Sequence, residues 1–451
     1  MQGRLIRLGL AAAGTLMWCS VAAAQDQPPA PSAAAPTSDA PASDGLPDSA
    51  TAGPPPATAP EPPPPPELAV PKPTPSEAIS AGKLILEVRP RYEFVDQAGI
   101  AKNANAYTVR TRLGWETGDF RGFKALIEME DVRAVGGQKY NSTVNGRTTY
   151  PVVGDPPVTE LNRAQLSWTP SANFSAVVGR QRINLDDQRF IGAAAWRQDE
   201  QTFDAVRLDG SYGRLKATYI YLDKINRVFG EKLDWDSDSH AFNATYALAE
   251  PLKLQGFLYA LNFKQSPANS TVTYGVRATG QMWVSLVKLA YAGSYAHQRD
   301  YRSNPGTFGL DYWSGEVAGT FDIYTLKANY EVLGGDGVRG FGTPLATLHA
   351  FQGWADVFLT TPTKGIKDAN LSLTVRPRLK AKYLYNLEFF GRYNDFHTDV
   401  GSAGLGHEWD LQASAAINPK LTALVKLADY HGPALGPASR TKVWVGFEYK
   451  L

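Results

Sequence analysis

The sequence predicts an all-β fold: a transmembrane antiparallel β-barrel of about 18 strands, preceded by a signal peptide and a Pro-rich disordered tether. From Gly82 to Leu451 the chain repeats a unit of about ten residues in which apolar and polar side chains alternate, and the connections are by turns short and long. Alternation places every second side chain on one face of a strand. Long connections at one end only, without a run of about 18 apolar residues after the N-terminal segment, are typical of an outer-membrane barrel.

The first 24 residues have the pattern of a cleavable secretory signal. Arg4 and Arg7 precede an apolar stretch at 8–17, and three alanines end the segment at Ala24. A basic start, an apolar centre and small residues at the cleavage site are the three parts of such a signal. We therefore place the signal peptide at residues 1–24.

Residues 25–82 are predicted to be a disordered periplasmic linker. They contain 18 of the 32 prolines of the chain, including Pro62 to Pro66 in a row. This composition cannot bury enough apolar surface to fold, so we expect an extended, partly polyproline II tether. It is interpreted as a spacer, with binding to a periplasmic or cell-wall partner as the alternative. Because the linker is acidic, residues 83–451 hold 42 Lys and Arg against 37 Asp and Glu, a net charge of +5.

Within residues 83–451 the alternation defines the strands in order. In the first strand Leu84 and Leu86 share one face, while Glu87, Arg89 and Arg91 share the other. Charges on one face fit a water-filled lumen opposite a lipid-facing surface. The same pattern predicts strands at 83–95, 106–117, 122–131, 160–169, 173–184, 201–210, 214–224, 239–249, 252–263, 271–279, 283–296, 309–318, 321–333, 366–376, 379–394, 406–417, 420–430 and 439–451.

Turn residues mark every second connection, and these short turns are assigned to the periplasmic side together with both chain termini. They include Asp209-Gly210, Thr279-Gly280, Gly319-Thr320 and Asn418-Pro419, which favour tight reversals. The segment 341–365 is assigned to a long outer loop that folds inward.

An 18-stranded barrel is too wide for side chains alone to fill, so an aqueous channel narrowed by loops is expected. Arginine forms paired hydrogen bonds with carboxylate or phosphate. We therefore predict an anion path lined by Arg89, Arg91, Arg110, Arg112, Arg163, Arg207, Arg376, Lys380, Lys382 and Arg392. Acids on the same face, such as Glu128 and Glu130, leave open the alternative that these arginines brace the wall as ion pairs. If the arginines sit in water, converting Arg110 and Arg112 to Glu lowers anion preference and changes stability little.

A second concentration of charge lies at residues 179–208. It holds Arg180, Arg182, Arg189, Arg197 and Arg207, and we expect Asp186, Asp187 and Asp204 to brace it as a packed constriction loop. This segment, together with residues 343–368 and 404–430, resembles the alginate export family of outer-membrane porins. The resemblance covers residues 83–451. It implies an 18-stranded barrel whose arginine-rich pore passes an anionic uronic-acid polysaccharide, with those five arginines in the pore or constriction and with Asp356 and Asp368 bracing the outer loop.

One departure from the family pattern bears on the substrate. The dedicated alginate exporter has a long periplasmic loop between its sixteenth and seventeenth strands, where this chain has only Asn418, Pro419 and Lys420. A general diffusion porin of the same family is therefore the alternative function.

Two other classes of protein remain as alternatives, a barrel-embedded enzyme and a plugged structural or adhesive barrel. The six histidines have neither zinc-ligand spacing nor a serine and acid partner, and the pair His407-Glu408 is interpreted as a rim position. No phosphate loop or dinucleotide fingerprint is present. We predict no enzyme activity, metal, cofactor or nucleic-acid partner. The expected partners are lipid and lipopolysaccharide of a Gram-negative outer membrane, and an anionic polysaccharide or small anions.

Overall fold

The computed structural model describes residues 73–379 and 384–451, which contain an 18-stranded antiparallel sheet closed into a barrel. The strands, numbered along the chain, are Lys83–Gln97 (β1), Ala104–Glu116 (β2), Phe123–Ala134 (β3), Val158–Ser171 (β4), Phe174–Gln181 (β5), Thr202–Tyr212 (β6), Leu215–Asn226 (β7), Trp235–Ala249 (β8), Leu252–Leu261 (β9), Thr271–Val284 (β10), Val287–Asp300 (β11), Gly309–Phe321 (β12), Tyr324–Leu333 (β13), Ile366–Val375 (β14), Tyr385–His397 (β15), Gly404–Asn418 (β16), Leu421–His431 (β17) and Arg440–Lys450 (β18). Single 3₁₀ turns lie at Glu231–Leu233, Pro267–Asn269 and Leu348–Ala350.

Each strand pairs with its neighbours in sequence, and the barrel closes where β1 pairs with both β2 and β18. Arg91 lies opposite Gly446 on one side of β1, and Tyr92 lies opposite Tyr107 on the other. Closure leaves no open sheet edge, so the backbone hydrogen bonds are made within the barrel, as the membrane interior requires. The predicted fold class and the count of eighteen strands are confirmed.

The two faces of each strand differ as the alternation predicts. On β2, Tyr107 and Leu113 are 52% and 55% exposed, whereas Arg110 and Arg112 on the opposite face are buried. Large apolar side chains exposed around the whole outer wall are expected of a surface that meets lipid. The outer face of the barrel is therefore the apolar one, and the charged face points inward.

Three of the predicted turns are wrong because their glycines lie inside strands. Strand β10 continues past Gly280 and turns at Ser285, whose φ is +55°. At Gly280 a Cβ atom would lie 1.8 Å from the carbonyl oxygen of Pro251 and 2.5 Å from Cζ of Tyr291, so close packing rather than a reversal requires glycine there. Likewise β12 runs through 319–320 and β6 through 209–210.

The last part of the predicted linker is ordered. Pro75–Ser80 form a short helix, α1, which begins with a capping box between Thr74 and Glu77. The carbonyl of Ala78 accepts from Gly118 N at 2.8 Å, which joins α1 to the turn between β2 and β3. The prediction of an extended tether is therefore wrong for residues 75–80.

Several predictions lie outside the described residues: the signal peptide at 1–24, the linker up to residue 72, and the pore positions Lys380 and Lys382. Among the described residues, no helix is both long enough and apolar enough to cross a membrane.

Candidate pore constriction

Two loops turn back from the long-loop end into the lumen, and we name them by their order in the chain. The first inner loop is residues 182–201, between β5 and β6, and the second inner loop is residues 334–365, between β13 and β14. They join in an isolated bridge between Ile191 and Leu345, beside which Gly192 N donates to Leu345 O at 2.9 Å. The two loops therefore form one unit inside the barrel, and the inward course predicted for 341–365 is observed.

An apolar cluster fills the space between these loops and the inner wall. Phe190 of the first inner loop lies 5.2 Å from Phe257 of β9 and 5.3 Å from Tyr312 of β12, measured between ring centroids. Phe341 of the second inner loop packs on the same ring at 6.3 Å. Aromatic pairs at these separations stabilise packing beyond the area they bury. Part of the lumen is therefore a packed core, which narrows the water-filled space.

Arg189 fixes the first inner loop to the far wall. Its Nε donates to Glu331 of β13 at 2.7 Å, and Nη2 donates to Gln352 of the second inner loop at 3.1 Å. Its guanidinium carbon lies 4.5 Å from the ring centroid of Phe351. A buried arginine needs this full set of partners, because an unpaired buried charge costs several kcal/mol.

A cluster of buried charges joins the first inner loop to the β1–β18 seam. Arg91 contacts Asp155 of the β3–β4 loop, Arg197 lies 3.6 Å from Glu93, and Lys442 lies 3.4 Å from Glu93 on the other side. Burial alone would raise the pKa of the Asp155 carboxyl, but Arg91 and Arg197 outweigh it and lower that pKa to about 2. The carboxylate is therefore charged at every physiological pH.

Asp356 connects the second inner loop to the same cluster. Its carboxylate accepts from Lys442 Nζ at 2.7 Å and from Arg197 Nη2 at 3.1 Å, and it lies 2.7 Å from His349 Nδ1. Burial would raise the pKa of Asp356, but His349 and Lys442 lower it well below its usual range. Burial also lowers the pKa of His349, so the neutral ring donates from Nδ1 to Asp356 and accepts at Nε2 from Lys426.

Lys426 of β17 is enclosed by both inner loops in an arrangement that we name the lysine clamp: Lys426, Trp196, Trp354 and His349. The ammonium nitrogen lies 4.1 Å from the ring centroid of Trp196 and 3.5 Å from that of Trp354. Trp196 stacks on His349 at 4.7 Å. A cation over tryptophan rings is attracted by their negative faces. One wall residue therefore contacts a tryptophan from each inner loop.

Glu200 fixes the other end of the first inner loop to β2 and β4. It accepts from Arg182 Nε and from Asn162 Nδ2 at 2.8 Å each, and it lies 3.3 Å from Arg112. Burial alone would raise the pKa of this carboxyl. Arg112 and Arg182 lower it by more than burial raises it, so the pKa lies below its usual value. The loop is thus held at both ends and at its tip.

Four of the predicted pore arginines do not face open water. Arg91, Arg110, Arg112 and Arg189 are 5%, 1%, 3% and 1% exposed. The expectations that they contact solute and that Arg110 and Arg112 sit in water are wrong, because the first inner loop covers the wall of β1 and β2 and Arg189 is buried against β13. The alternative of wall-bracing ion pairs describes them: Arg110 lies 3.0 Å from both Glu87 and Glu448.

The other predicted basic residues within 73–379 and 384–451 keep some exposure, and most have a carboxylate partner. Arg89 differs, since it donates to Ala195 O at 3.0 Å and to Gln198 Oε1 at 2.9 Å and forms no ion pair within the described chain. The others form the pairs Arg163–Glu128, Arg180–Asp204, Arg182–Glu200, Arg197–Asp356, Arg207–Asp209, Arg376–Glu388 and Arg392–Asp410.

The predicted bracing acids are mostly placed as expected. The exception is Asp368, which accepts from Asn370 of its own strand at 3.1 Å and forms no hydrogen bond or ion pair with the second inner loop in the described residues, so its bracing role is wrong. The other contacts are Asp186 with Gln255 (2.8 Å), Asp187 with Arg277 (2.7 Å), Asp204 with Arg180 (2.7 Å) and Asp356 with Arg197 (3.1 Å).

Sequence reasoning missed four of the residues that complete the buried clusters, namely Asp155, Lys426, Lys442 and Trp354. The alternation of β17 and β18 places Lys426 and Lys442 on the inward face, so a stricter use of that pattern would have found them. Asp155 lies in an irregular loop and has no such signal.

The structure offers no catalytic arrangement around the pair His407-Glu408. His407 faces outward and stacks on His431 at 5.4 Å, while the Glu408 carboxylate faces inward and accepts from Ala355 N at 2.7 Å. The two side chains lie on opposite sides of β16, as neighbours in a strand do. No group of three or more His, Cys, Asp or Glu in the described residues is arranged to hold a metal ion.

Solved structures of similar fold are outer-membrane porins. Acinetobacter baumannii OccAB4 is 13% identical with a TM-score of 0.65, covering 84% of this chain and 100% of that one. Pseudomonas aeruginosa OccK9 (OpdG) is 14% identical with a TM-score of 0.64, covering 83% and 100%. Pseudomonas aeruginosa OpdK, solved with vanillate, is 13% identical with a TM-score of 0.63, covering 83% and 99%. No curated protein gave a significant match.

A closed 18-stranded barrel narrowed by inward loops defines an outer-membrane channel of the porin class. The family model for alginate export matches residues 83–326, more than half of the chain. The chain belongs to the alginate export family, as the sequence resemblance predicts, and it is a protein of the Gram-negative outer membrane.

Proposed function

We propose that this outer-membrane channel passes anionic solutes, and that its preferred class is an acidic, alginate-like polysaccharide of uronic acids or the oligomers of one. The observation that carries the proposal is the net charge of +5 on residues 83–451 in a barrel of the alginate export family. A basic lumen raises the local concentration of anions and excludes cations. The buried ion pairs neutralise much of the wall, so the selectivity comes from the basic groups that remain exposed.

General diffusion of small anions is the second candidate. It is favoured by the connection between β16 and β17, since β16 ends at Asn418 and β17 begins at Leu421. This end of the channel has no long loop at that position to act as a gate for a polymer. The inner loops, fixed by ion pairs to several strands, leave a constriction suited to small or extended solutes. A small organic acid such as vanillate, present in one structural neighbour, is a suitable probe of this candidate.

Planar-bilayer recording of the purified full-length protein tests the proposal. Under a potassium chloride gradient we expect a reversal potential that shows anion preference. Uronic-acid oligomers should then reduce the current at lower concentration than neutral oligosaccharides of equal length. Block by vanillate and oligouronates at similar concentrations favours the general porin, and a cation-selective current contradicts both candidates.

A further inference from the structure

We propose that the periplasmic half of the lumen contains a binding site for the carboxylates of an acidic oligosaccharide, on the wall from β7 to β10. This inference rests on the proposed function and names a place where its solute binds. A cavity of about 680 Å³ lies at the short-turn ends of these strands, lined by Arg214 and Lys253 among others. Its volume lies within the range of sites that take small organic ligands.

Strand register brings the lining residues to one level. Lys253 lies opposite Ala247 of β8 on one side and opposite Thr279 of β10 on the other, and Ala247 N donates to Arg214 O at 3.0 Å. Neighbouring strands lie about 4.8 Å apart. The two cations are therefore separated by one strand and lie on the same stretch of wall.

The alternation of β9 points Lys253 into the lumen. Gln255, two residues further, donates to Asp186 of the first inner loop at 2.8 Å, and Phe257 packs against Phe190 of that loop. Residues at positions i, i+2 and i+4 share a face, so Lys253 faces the same interior, below the constriction.

Both cations retain unused hydrogen-bond donors. Arg214 Nη1 donates to Leu248 O at 3.1 Å, and within the described chain neither Arg214 nor Lys253 forms an ion pair. This wall thus differs from the one formed by β1 to β4, where carboxylates pair with Arg91, Arg110, Arg112 and Arg163. A guanidinium with free N–H groups and a nearby ammonium suit two carboxylates of one ligand.

Neutral side chains complete a surface suited to a sugar. Thr279 and Gln281 offer hydroxyl and amide groups at the cavity wall, and the small side chains of Ala249 and Ala290 leave it open. Glu250, at the β8–β9 turn, is the acidic residue that lines it. The site therefore combines two cations and one acid with neutral hydrogen-bonding groups.

The test is a double variant, Arg214→Gln with Lys253→Gln, in the full-length protein in planar bilayers. Oligouronates are added to the short-turn side or to the long-loop side. We expect the half-blocking concentration from the short-turn side to rise roughly tenfold, since two lost charge contacts remove about 1.4 kcal/mol or more. Lys420→Gln, at a turn across the same rim, is the matched control and should behave as the wild type does. Heat-modifiable migration on gels shows that each variant folds.

The outcomes separate this inference from the proposed function. If oligouronates block the wild type and block the double variant at the same concentration, the site is overturned and the proposed function stands. An equal rise for neutral oligosaccharides overturns the carboxylate assignment. A wild-type channel without anion preference or oligouronate block overturns the function and the site together.

Discussion

Individual arginines in this barrel chiefly compensate buried carboxylates. Arg112 is the clearest case: it contacts Glu130, lies 3.3 Å from Glu200 and 3.5 Å from Glu87, and is 3% exposed. Removing one partner from such a group leaves charges in a medium that solvates them poorly. Its role is therefore to hold β1, β2, β3 and the first inner loop together.

Replacing Arg112 with Glu is expected to destabilise the barrel by about 3–5 kcal/mol, because it leaves three carboxylates facing a fourth. The unfolding temperature, measured by heat-modifiable migration in detergent, should fall clearly. Arg376→Glu is the control, since Arg376 is half exposed beside Glu388. Equal temperatures for the two variants contradict the bracing role of Arg112.

Asp199 of the first inner loop is expected to make stability depend on pH. Burial, with Glu160 and Glu130 close by, raises its pKa well above the usual value. The folded state therefore binds the proton of the Asp199 carboxyl more tightly than the unfolded state does. The stability that this protonated carboxyl contributes is complete below about pH 4 and is lost as the pH rises towards the folded pKa. Asp199→Asn should stabilise the protein at pH 8, and the gain should shrink towards pH 4 in thermal melts. A gain that is constant with pH contradicts this mechanism.

Among the elements, the strands were predictable and the inner-loop contacts were not. Alternation is local, so it located β1 to β18 to within a few residues wherever glycines did not mislead. Glu331, which pairs with Arg189, and Asp356, which pairs with Arg197, lie 142 and 159 residues away along the chain, and no local pattern encodes such pairings. For the same reason the sequence identified the constriction segment yet misjudged which arginines remain in contact with water.

The lysine clamp is expected to hold both inner loops still. Lys426→Met keeps a similar volume but removes the cation–π contacts with Trp196 and Trp354, each a contact of about 1–2 kcal/mol when desolvated. Single-channel currents should become noisier, with more frequent open levels of higher conductance. Lys420→Met, at the exposed turn before β17, should leave the traces unchanged. Quiet currents in Lys426→Met show that the other contacts suffice.

For the whole molecule, the folding and conductance of the barrel are expected not to depend on the N-terminal linker that precedes α1. We propose the segment 25–72 as a spacer, and deleting residues 27–72 should leave folding and conductance unchanged because a Pro-rich, acidic chain supplies no core. Extending the deletion to residue 80 also removes α1. The hydrogen bond that Trp115 Nε1 donates to Ile79 O at 3.2 Å is then lost. We expect a small drop in thermal stability in that second variant only. Loss of conductance in the shorter deletion supports a partner-binding role instead.

Both inner loops are bonded to the seam between β1 and β18. Glu93 and Lys442 lie on the two strands of the seam, and Arg197 and Asp356 reach them from the two loops. If β1 and β18 paired during assembly before the inner loops entered the lumen, Glu93 and Lys442 would lack their charged partners in the loops. Closure of the barrel and docking of the inner loops therefore favour each other. A defect in either step should stop assembly at the same intermediate, a barrel that is still open between β1 and β18.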